Sequence, residues 1–421
     1  MAGDELFFEE SQRHRASSIE EFDAEIRTFA GFGKKTRLLE FTGGGISIPV
    51  YVNEFWTSKQ RAAHSIHEIS YRACFKPQLP RFFIHRLTRP GDVVYDPFLG
   101  RGTTVIEAAL AGRRPLGCDV NPLSRILVLP RLDPPEATEV ANRLAGLDLE
   151  RPVEVWEDLL VFYHPKTLRQ ITHLRTYLLS REAEGRLDRV DAWIRMVATN
   201  RLTGHSRGFF SVYTLPPNQA VSIEAQRRIN EKRNQVPPER EIKRLILRKT
   251  RSLLAHLSAA ERKRLRRMAR DASIVTGSAN DTPEIPNDSV HLAVTSPPFL
   301  DTVDYRTDNW LRCWFNGIDA EGVQVWRIKE PEAWQAAMAS TFRELRRVLV
   351  EGGIVAFEVG EVRNGKILLE TLVVPAAIDA GLQPRMVLVN DQIFTKTSNC
   401  WGVENLRKGT NTNRIVVVQK R

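Results

Sequence analysis

The chain has 421 residues, 42% of them hydrophobic and 27% charged, with 61 Lys and Arg against 51 Asp and Glu for a net charge of +10. This is the composition of a folded protein of two units, or of one domain with a large insert, and it excludes a wholly disordered, collagen-like or low-complexity chain. No run of about 18 apolar residues is present, so no membrane-spanning helix is expected, and the acidic N-terminal stretch MAGDELFFEESQRHR lacks the apolar core of a secretory leader, which predicts a cytoplasmic protein.

In chain order, residues 1–55 read as an N-terminal extension. Residues 1–30 look helical and acidic, and RLLEFTGGGISIPVYV looks like a hairpin turning at Gly43-Gly44-Gly45. From 56 to 130, helix and strand alternate: QLPRFFIHRL suits a helix, DVVYDPF a short strand, TTVIEAALAG a helix closed by Gly112, and RPLGCDVN a second strand. This β-α-β order predicts an α/β fold with a doubly wound, mostly parallel sheet. Residues 131–270 read as a large helical insert. Leu168, Ile171, Leu174 and Leu178 recur at helical spacing, as do Val190, Ile194 and Val197, and Ile242, Leu245, Ile246, Leu253 and Leu257. From 271 to 421 the rhythm returns, with strands at ASIVTGSA, VHLAVTS, IVAFEVG, PRMVLVNDQ and RIVVVQK. Helices at WQAAMASTFRELRRVLV and LLETLVVPAAIDAG separate them, so the second half completes the sheet begun by the first.

Two constellations carry chemistry. The strand VVYDPF runs into LGRGTT and then a helix. Gly100 and Gly102 let the backbone turn sharply and pass close to a ligand, and the helix N-terminus offers free N–H groups. Asp119, at the end of the next strand, is suited to accept hydrogen bonds from both hydroxyls of a ribose. A dinucleotide fingerprint needs a glycine where Val105 stands, and a phosphate loop needs Gly-Lys-Ser/Thr, which Gly102-Thr103 does not supply. The remaining alternative is a tight turn with no ligand. The second constellation is Ser296-Pro297-Pro298-Phe299, which ends the strand VHLAVT. Two prolines fix the backbone and remove two N–H donors. Ser296 and the Pro297 carbonyl can then accept hydrogen bonds from an exocyclic amine while Phe299 stacks on the base that bears it. Read alone, the same four residues are a strand-ending turn with Phe299 in the core.

Taken in order, DPFLGRGTT, GCDVNP and VTSPPF resemble the DNA amino-methyltransferases, which use S-adenosyl-L-methionine to make N4-methylcytosine or N6-methyladenine. FKPQLPRFFIHRL and ELRRVLVEGGIVAFEVGEV are similar to the segments flanking those motifs, and the resemblance covers about 56–130 and 271–421. It implies the class I methyltransferase fold. It further implies that Asp96, Phe98, Gly100, Gly102 and Thr103 wrap the methionine part of the cofactor, with Lys76 and Pro77 closing over it. Asp119 would hold the ribose, and Asp281 would lie near the adenine. Ser296, Pro297, Pro298 and Phe299 would hold the target base. Ser-Pro-Pro-Phe tilts the base toward cytosine N4, with adenine N6 as the rival. An RNA amino-methyltransferase and a catalytically silent nucleic-acid-binding protein are the further alternatives. The family places its target-recognition region elsewhere than between the Asp119 and Ile274 strands, so the insert departs from its pattern. Cytosine C5 chemistry is excluded, because none of Cys74, Cys118, Cys313 and Cys400 follows a proline. The isolated cysteines suit reduced thiols and no CxxC metal site, and His64 and His67 have no evident third ligand, so no metal is expected.

The expected partner is double-stranded DNA, with a cognate restriction endonuclease beside it. From Ala225 to Arg270 the chain has sixteen Lys and Arg against four Glu, a local +12, so the remainder sums to −2. Such concentration fits an electrostatic footprint for phosphates. Arg227, Arg228, Lys232, Arg233, Lys243, Arg244, Arg248 and Lys249 are the candidate contacts, the alternative being a solvated helix face. Phe209, Phe210 and Tyr213, in GHSRGFFSVYTLPPNQA, either wedge into DNA or form ordinary core.

Overall fold

The computed structural model describes residues 17–57, 63–71, 74–214, 220–300, 305–326, 328–362, 366–391 and 413–421. The acidic stretch up to residue 16, residues 215–219 of the aromatic loop and Cys400 lie outside them. Helix α1 (Ile19–Thr28) starts in a capping box, with Glu21 N–H donating to Ser18 Oγ at 3.2 Å and Ser18 N–H to Glu21 Oε2 at 2.9 Å. Strands β1 (Arg37–Gly43) and β2 (Ile46–Asn53) form the expected antiparallel hairpin. Gly44 and Gly45 both take positive φ, 59° and 78°, which a two-residue turn between twisted strands favours.

The first α/β segment supplies α2 (Gln78–Leu87), β3 (Val93–Asp96), α3 (Thr103–Leu110), β4 (Arg114–Asp119) and α4 (Leu123–Leu132). The insert supplies α5 (Ala137–Gly146), α6 (Pro165–Ala183), α7 (Arg189–Arg201), α8 (Ile223–Arg233), α9 (Ile242–Leu254) and α10 (Ala259–Arg270). The last segment supplies β5 (Ser273–Thr276), β6 (Val290–Thr295), α11 (Tyr305–Asn316), α12 (Pro331–Val348) and β7 (Leu349–Val359). It ends with a short ribbon, β8 (Glu361–Val362) and β9 (Ile367–Leu368), then α13 (Glu370–Asp379), β10 (Gln383–Asn390) and β11 (Asn413–Gln419).

Among the described residues, nine strands form one sheet in the order β1-β2-β10-β11-β7-β6-β3-β4-β5. β5, β4, β3, β6 and β7 are parallel, and β11 runs antiparallel between β7 and β10. This is the doubly wound, mostly parallel architecture expected from the sequence. β2 adds to β10 in parallel, so the sheet extends across the boundary expected at residue 55. Winding reverses beside β3: the chain moves to β4 and β5 on one side and to β6 and β7 on the other. Such a switch point leaves a crevice at the C-terminal ends of the strands.

Side chains alternate across the sheet with period two. Leu292 and Val294 of β6 face α1 and α2 through Phe22, Phe82 and Phe83. Ala293, with Tyr95, Val355 and Phe357, faces α12 and α13 through Trp334, Phe342 and Val373. The insert is helical as expected, and its core of Phe162, Leu168, Trp193, Ile194 and Ile246 is continuous with Leu127 of α4 and Leu311 of α11. It is therefore seated on the α/β unit by shared packing. Its last helix, α10, packs Leu265 and Met268 onto Val105, Ile106 and Val128, making it the crossover layer that delivers the chain to β5.

Candidate active site

The C-terminal ends of β3, β4 and β6 bring the two sequence constellations together. β3 ends in Asp96, whose carboxylate is buried. Its Oδ1 accepts from the Phe98 N–H at 3.1 Å and from Thr295 Oγ at 2.6 Å, the latter residue lying at the end of β6. Thr104, at the start of α3, donates its hydroxyl to the Val294 carbonyl at 2.9 Å. The glycine turn and the strand leading into Ser296 are thus tied by two side-chain hydrogen bonds. Burial pushes the Asp96 carboxyl up to about 7, against the bonds from Thr295 and Phe98, which hold it down.

The turn after β3 is held by β4. Gly100 (φ 49°) donates its N–H to Asp119 Oδ2 at 2.7 Å, and Asn121 donates to Oδ1 at 2.9 Å. Each carboxylate oxygen keeps a further lone pair, and burial raises this carboxyl too. Gly102 (φ 75°) caps α3 from beneath, against Val128. Its role is a backbone shape that a side chain would disturb.

On the other wall, Ser296 lies beside Glu358 of β7, the strand paired in parallel with β6, and helps hold that carboxyl down. Glu358 Oε1 also accepts from Asn413 Nδ2 of β11 at 2.7 Å, and complete burial pushes its carboxyl up to about 7. The Pro298 carbonyl accepts from the Trp334 indole at 2.9 Å, which fixes the diproline turn to α12.

Between these walls lies an open cleft at the C-terminal ends of the strands. Asp96, Phe98, Gly100, Thr103 and Asp119 line it with Ser296 and Pro298. Gly102, Pro297, Phe299, Lys76, Pro77 and Asp281 are outside the lining. Phe299 is packed against the sheet core. The aromatic surfaces lining the cleft are instead Tyr71, Phe75, Phe98 and Trp326, the last two packed edge to face at 5.8 Å. Pro77 precedes α2, and it is Cys74 and Phe75, just before it, that reach the cleft. Asp281 is exposed beside Arg347, and Gly277, Ser278 and Ala279 line the wall in its place. The lining at Gln324, Val325 and Trp326 escapes sequence reading because that loop has neither motif nor periodicity, and only folding returns it to the strand ends.

The basic candidates divide. Arg227, Arg228, Lys232 and Arg233 are exposed on α8, with Arg233 stacked over the Tyr213 ring at 3.9 Å. Arg244 and Arg248 are exposed on α9. Lys243 instead donates its ammonium to the Leu147 carbonyl, and Lys249 pairs with Glu68 at 3.3 Å. Burial and Arg201 push the Lys249 ammonium down to about 8. On α10 the charge run is partly neutralised by acids from outside it, with Arg262 on Glu136 at 3.0 Å and Arg266 on Asp133 at 2.9 Å. Phe209 and Phe210 are buried, which assigns them to the core. His67 is buried against Glu107 at 2.7 Å, and among the described residues no group of three or more His, Cys, Asp or Glu is arranged to hold a metal.

Comparison with known proteins places a family on this geometry. Residues 48–124, spanning β3, the glycine turn and Asp119, match the family of N6- and N4-type methyltransferases described as DNA methylase. The chain is 35% identical over 72 residues to the type II methyltransferase M.MjaII of Methanocaldococcus jannaschii, covering 17% of this chain and 13% of that protein. It is 26% identical over 148 residues to M.MvaI of Kocuria varians, covering 34% and 29%, and 23% identical over 285 residues to M.BsoBI of Geobacillus stearothermophilus, covering 62% and 55%. The matched regions thus span between 13% and 55% of these relatives' length.

Proposed function

We propose that this chain, whose residues 48–124 belong to the S-adenosylmethionine-dependent DNA amino-methyltransferase family, methylates the exocyclic N4 of cytosine in double-stranded DNA. The observation that carries the reading is one cleft lined by both Asp119 with its glycine turn and Ser296 with its diproline turn, the two coupled through the Thr295–Asp96 hydrogen bond. The donor set suits the cofactor: a carboxylate for a diol, a second carboxyl near a positive charge, and apolar lining at Val120, Ala279 and Val325 for a flat ring. When bound, S-adenosylmethionine supplies an electrophilic methyl on a sulfonium, and no metal is needed.

The chain's own task is to position the amine and free its lone pair. Ser296 accepts an N–H from the amine, which favours a pyramidal nitrogen. The diproline turn holds that hydroxyl rigidly, so much of the rate comes from preorganised geometry. Glu358 holds the Ser296 hydroxyl in place from behind. Phe98 and Trp326 are the aromatic surfaces beside the base, and Phe299 supports the turn through the core.

The test is methyl transfer from labelled S-adenosylmethionine to mixed-sequence duplex DNA, with RNA alongside, followed by identification of the nucleoside. N4-methylcytosine in DNA is the expected product. N6-methyladenine overturns the base assignment, and methylated RNA with unmodified DNA overturns the substrate. Ser296→Ala is expected to lower kcat by roughly 10²–10³, the scale of one missing transition-state hydrogen bond, while cofactor affinity holds. An unchanged kcat removes Ser296 from the chemistry.

A pH dependence follows from Asp96 and Glu358. Both carboxyls sit at about 7, above their unfolded values near 4, so the native state keeps protons that the unfolded chain releases in that window. Their contribution to stability therefore falls as pH rises from about 4 to about 7. Ionised Asp96 favours a cation in the cleft. Affinity for S-adenosylmethionine relative to S-adenosylhomocysteine, which lacks the sulfonium charge, is expected to rise between pH 6 and pH 8, as read by calorimetry, and a flat ratio refutes an electrostatic role of Asp96 toward the sulfonium.

A further inference from the structure

A second group of arginines lies beside the cleft, drawn from four places in the chain. Arg201 ends α7, Arg207 lies in the loop after it, Arg240 precedes α9, and Arg248 is on α9. They face one another, with Glu68 the acid near Arg201. Arg201 is depressed to about 10 by burial and by the neighbouring charges of Arg248 and Arg312, and Arg240 is lowered by burial and by Arg207 and Arg248. Among the described residues, none of these four makes a salt bridge within 4 Å; the nearby Glu68 is paired with Lys249 and accepts a further hydrogen bond from Ser252. Holding like charges together without counter-ions costs free energy, which an anion spanning them would recover.

The arrangement is built rather than accidental. Arg201 lies on the Phe209 ring at 4.0 Å and is held by the Asn200 carbonyl and Oδ1 at 3.1 and 2.7 Å. Phe209 packs so tightly over Gly204 that a Cβ there would lie 2.5 Å from the ring. Arg248 reaches the Arg207 carbonyl at 3.4 Å across Gly208, where a Cβ would lie 3.2 Å from its Nη2. The Arg240 Nε is buried with no hydrogen-bond partner among the described residues. The cluster is linked toward the cleft through Asn200, the residue before Arg201. Asn200 Nδ2 and Arg312 Nη2 both donate to the Ser70 carbonyl, at 3.1 and 3.2 Å, and the next residue, Tyr71, lines the cleft.

We infer that Arg201, Arg207, Arg240 and Arg248 form a phosphodiester-binding site that grips the backbone of the DNA strand whose base enters the cleft. The inference rests on the DNA methyltransferase reading above and deepens it, because it assigns the grip to a surface assembled from α7, α9 and their loops rather than to the exposed α8 helix. Guanidinium groups suit this task, since each presents a planar fork of donors to phosphate oxygens.

The test uses the full chain, with fluorescence anisotropy on a fluorescent mixed-sequence DNA duplex across a salt titration. The variants are Arg207→Ala/Arg248→Ala and Arg240→Gln, with Arg151→Ala, an exposed arginine paired with Asp148, as the charge control. Every phosphate that a removed guanidinium no longer neutralises lowers the slope of log affinity against log salt by about 0.9. The double variant is therefore expected to fall by about 1.8 and Arg240→Gln by about 0.9, with weaker binding in both. Melting temperature and S-adenosylhomocysteine affinity are expected to match the parent, which separates a weakened grip on DNA from impaired folding. Slopes and affinities equal to those of Arg151→Ala overturn the site. If the parent methylates DNA while the variants keep its slope, the phosphate site alone fails. If the slope falls but the parent methylates no DNA, the site stands and the methyl-transfer reading fails.

Discussion

Asp119→Ala is expected to weaken S-adenosylhomocysteine binding by about a hundredfold or more. Two hydrogen bonds from a diol to a carboxylate contribute about 1.5–3 kcal/mol each, and both vanish with the side chain. The effect reaches further, because the Gly100 and Asn121 N–H groups lose their acceptor at 2.7 and 2.9 Å, so the turn beneath the ligand loses its anchor to β4. Asp119→Asn keeps one acceptor oxygen and should fall between the two. Isothermal calorimetry on both variants, with thermal melting to register the turn, reads the ordering. Parental affinity in Asp119→Ala would remove Asp119 from the cofactor site.

Gly102→Ala is expected to destabilise the fold by about 2–4 kcal/mol. The backbone there sits at φ 75°, which costs any residue with a Cβ, and that Cβ would lie 2.4 Å from Val128 Cγ2 of α4. The two costs are separable. Val128→Ala in the Gly102→Ala background removes the collision but leaves the φ penalty, so a double-mutant cycle in urea should give a favourable coupling of about 1–2 kcal/mol. Additivity of the two substitutions would show that the turn moves away from α4 instead.

The α/β order, the helical insert, the hairpin at residues 37–53 and the two strand-end motifs were legible from the chain. Each is local: a period of two or 3.6, a pair of glycines, or two prolines after an apolar strand acts over a few residues and needs no distant partner. That Asp96, Asp119 and Ser296 line one cleft follows from the parallel sheet, which carries the ends of its neighbouring strands to a single edge.

Other features needed the folded chain. Phe299 reads as a stacking residue but lies half-buried outside the cleft lining, while Trp326, from a loop with no pattern, lines the cleft beside Phe98. A charge count along the chain put the +12 segment at 225–270, but it could not see that Glu136, Asp133 and Glu68 approach Arg262, Arg266 and Lys249 from elsewhere. Nor could it see that Arg201 and Arg207, outside that segment, gather with Arg240 and Arg248. What the sequence determined was the set of elements and the chemistry at their ends, because hydrophobic period and turn geometry are short-range. What only the tertiary structure decided was which charges are neutralised and which side chains line the cleft, because a charge or an aromatic ring takes its role from neighbours brought together from distant parts of the chain.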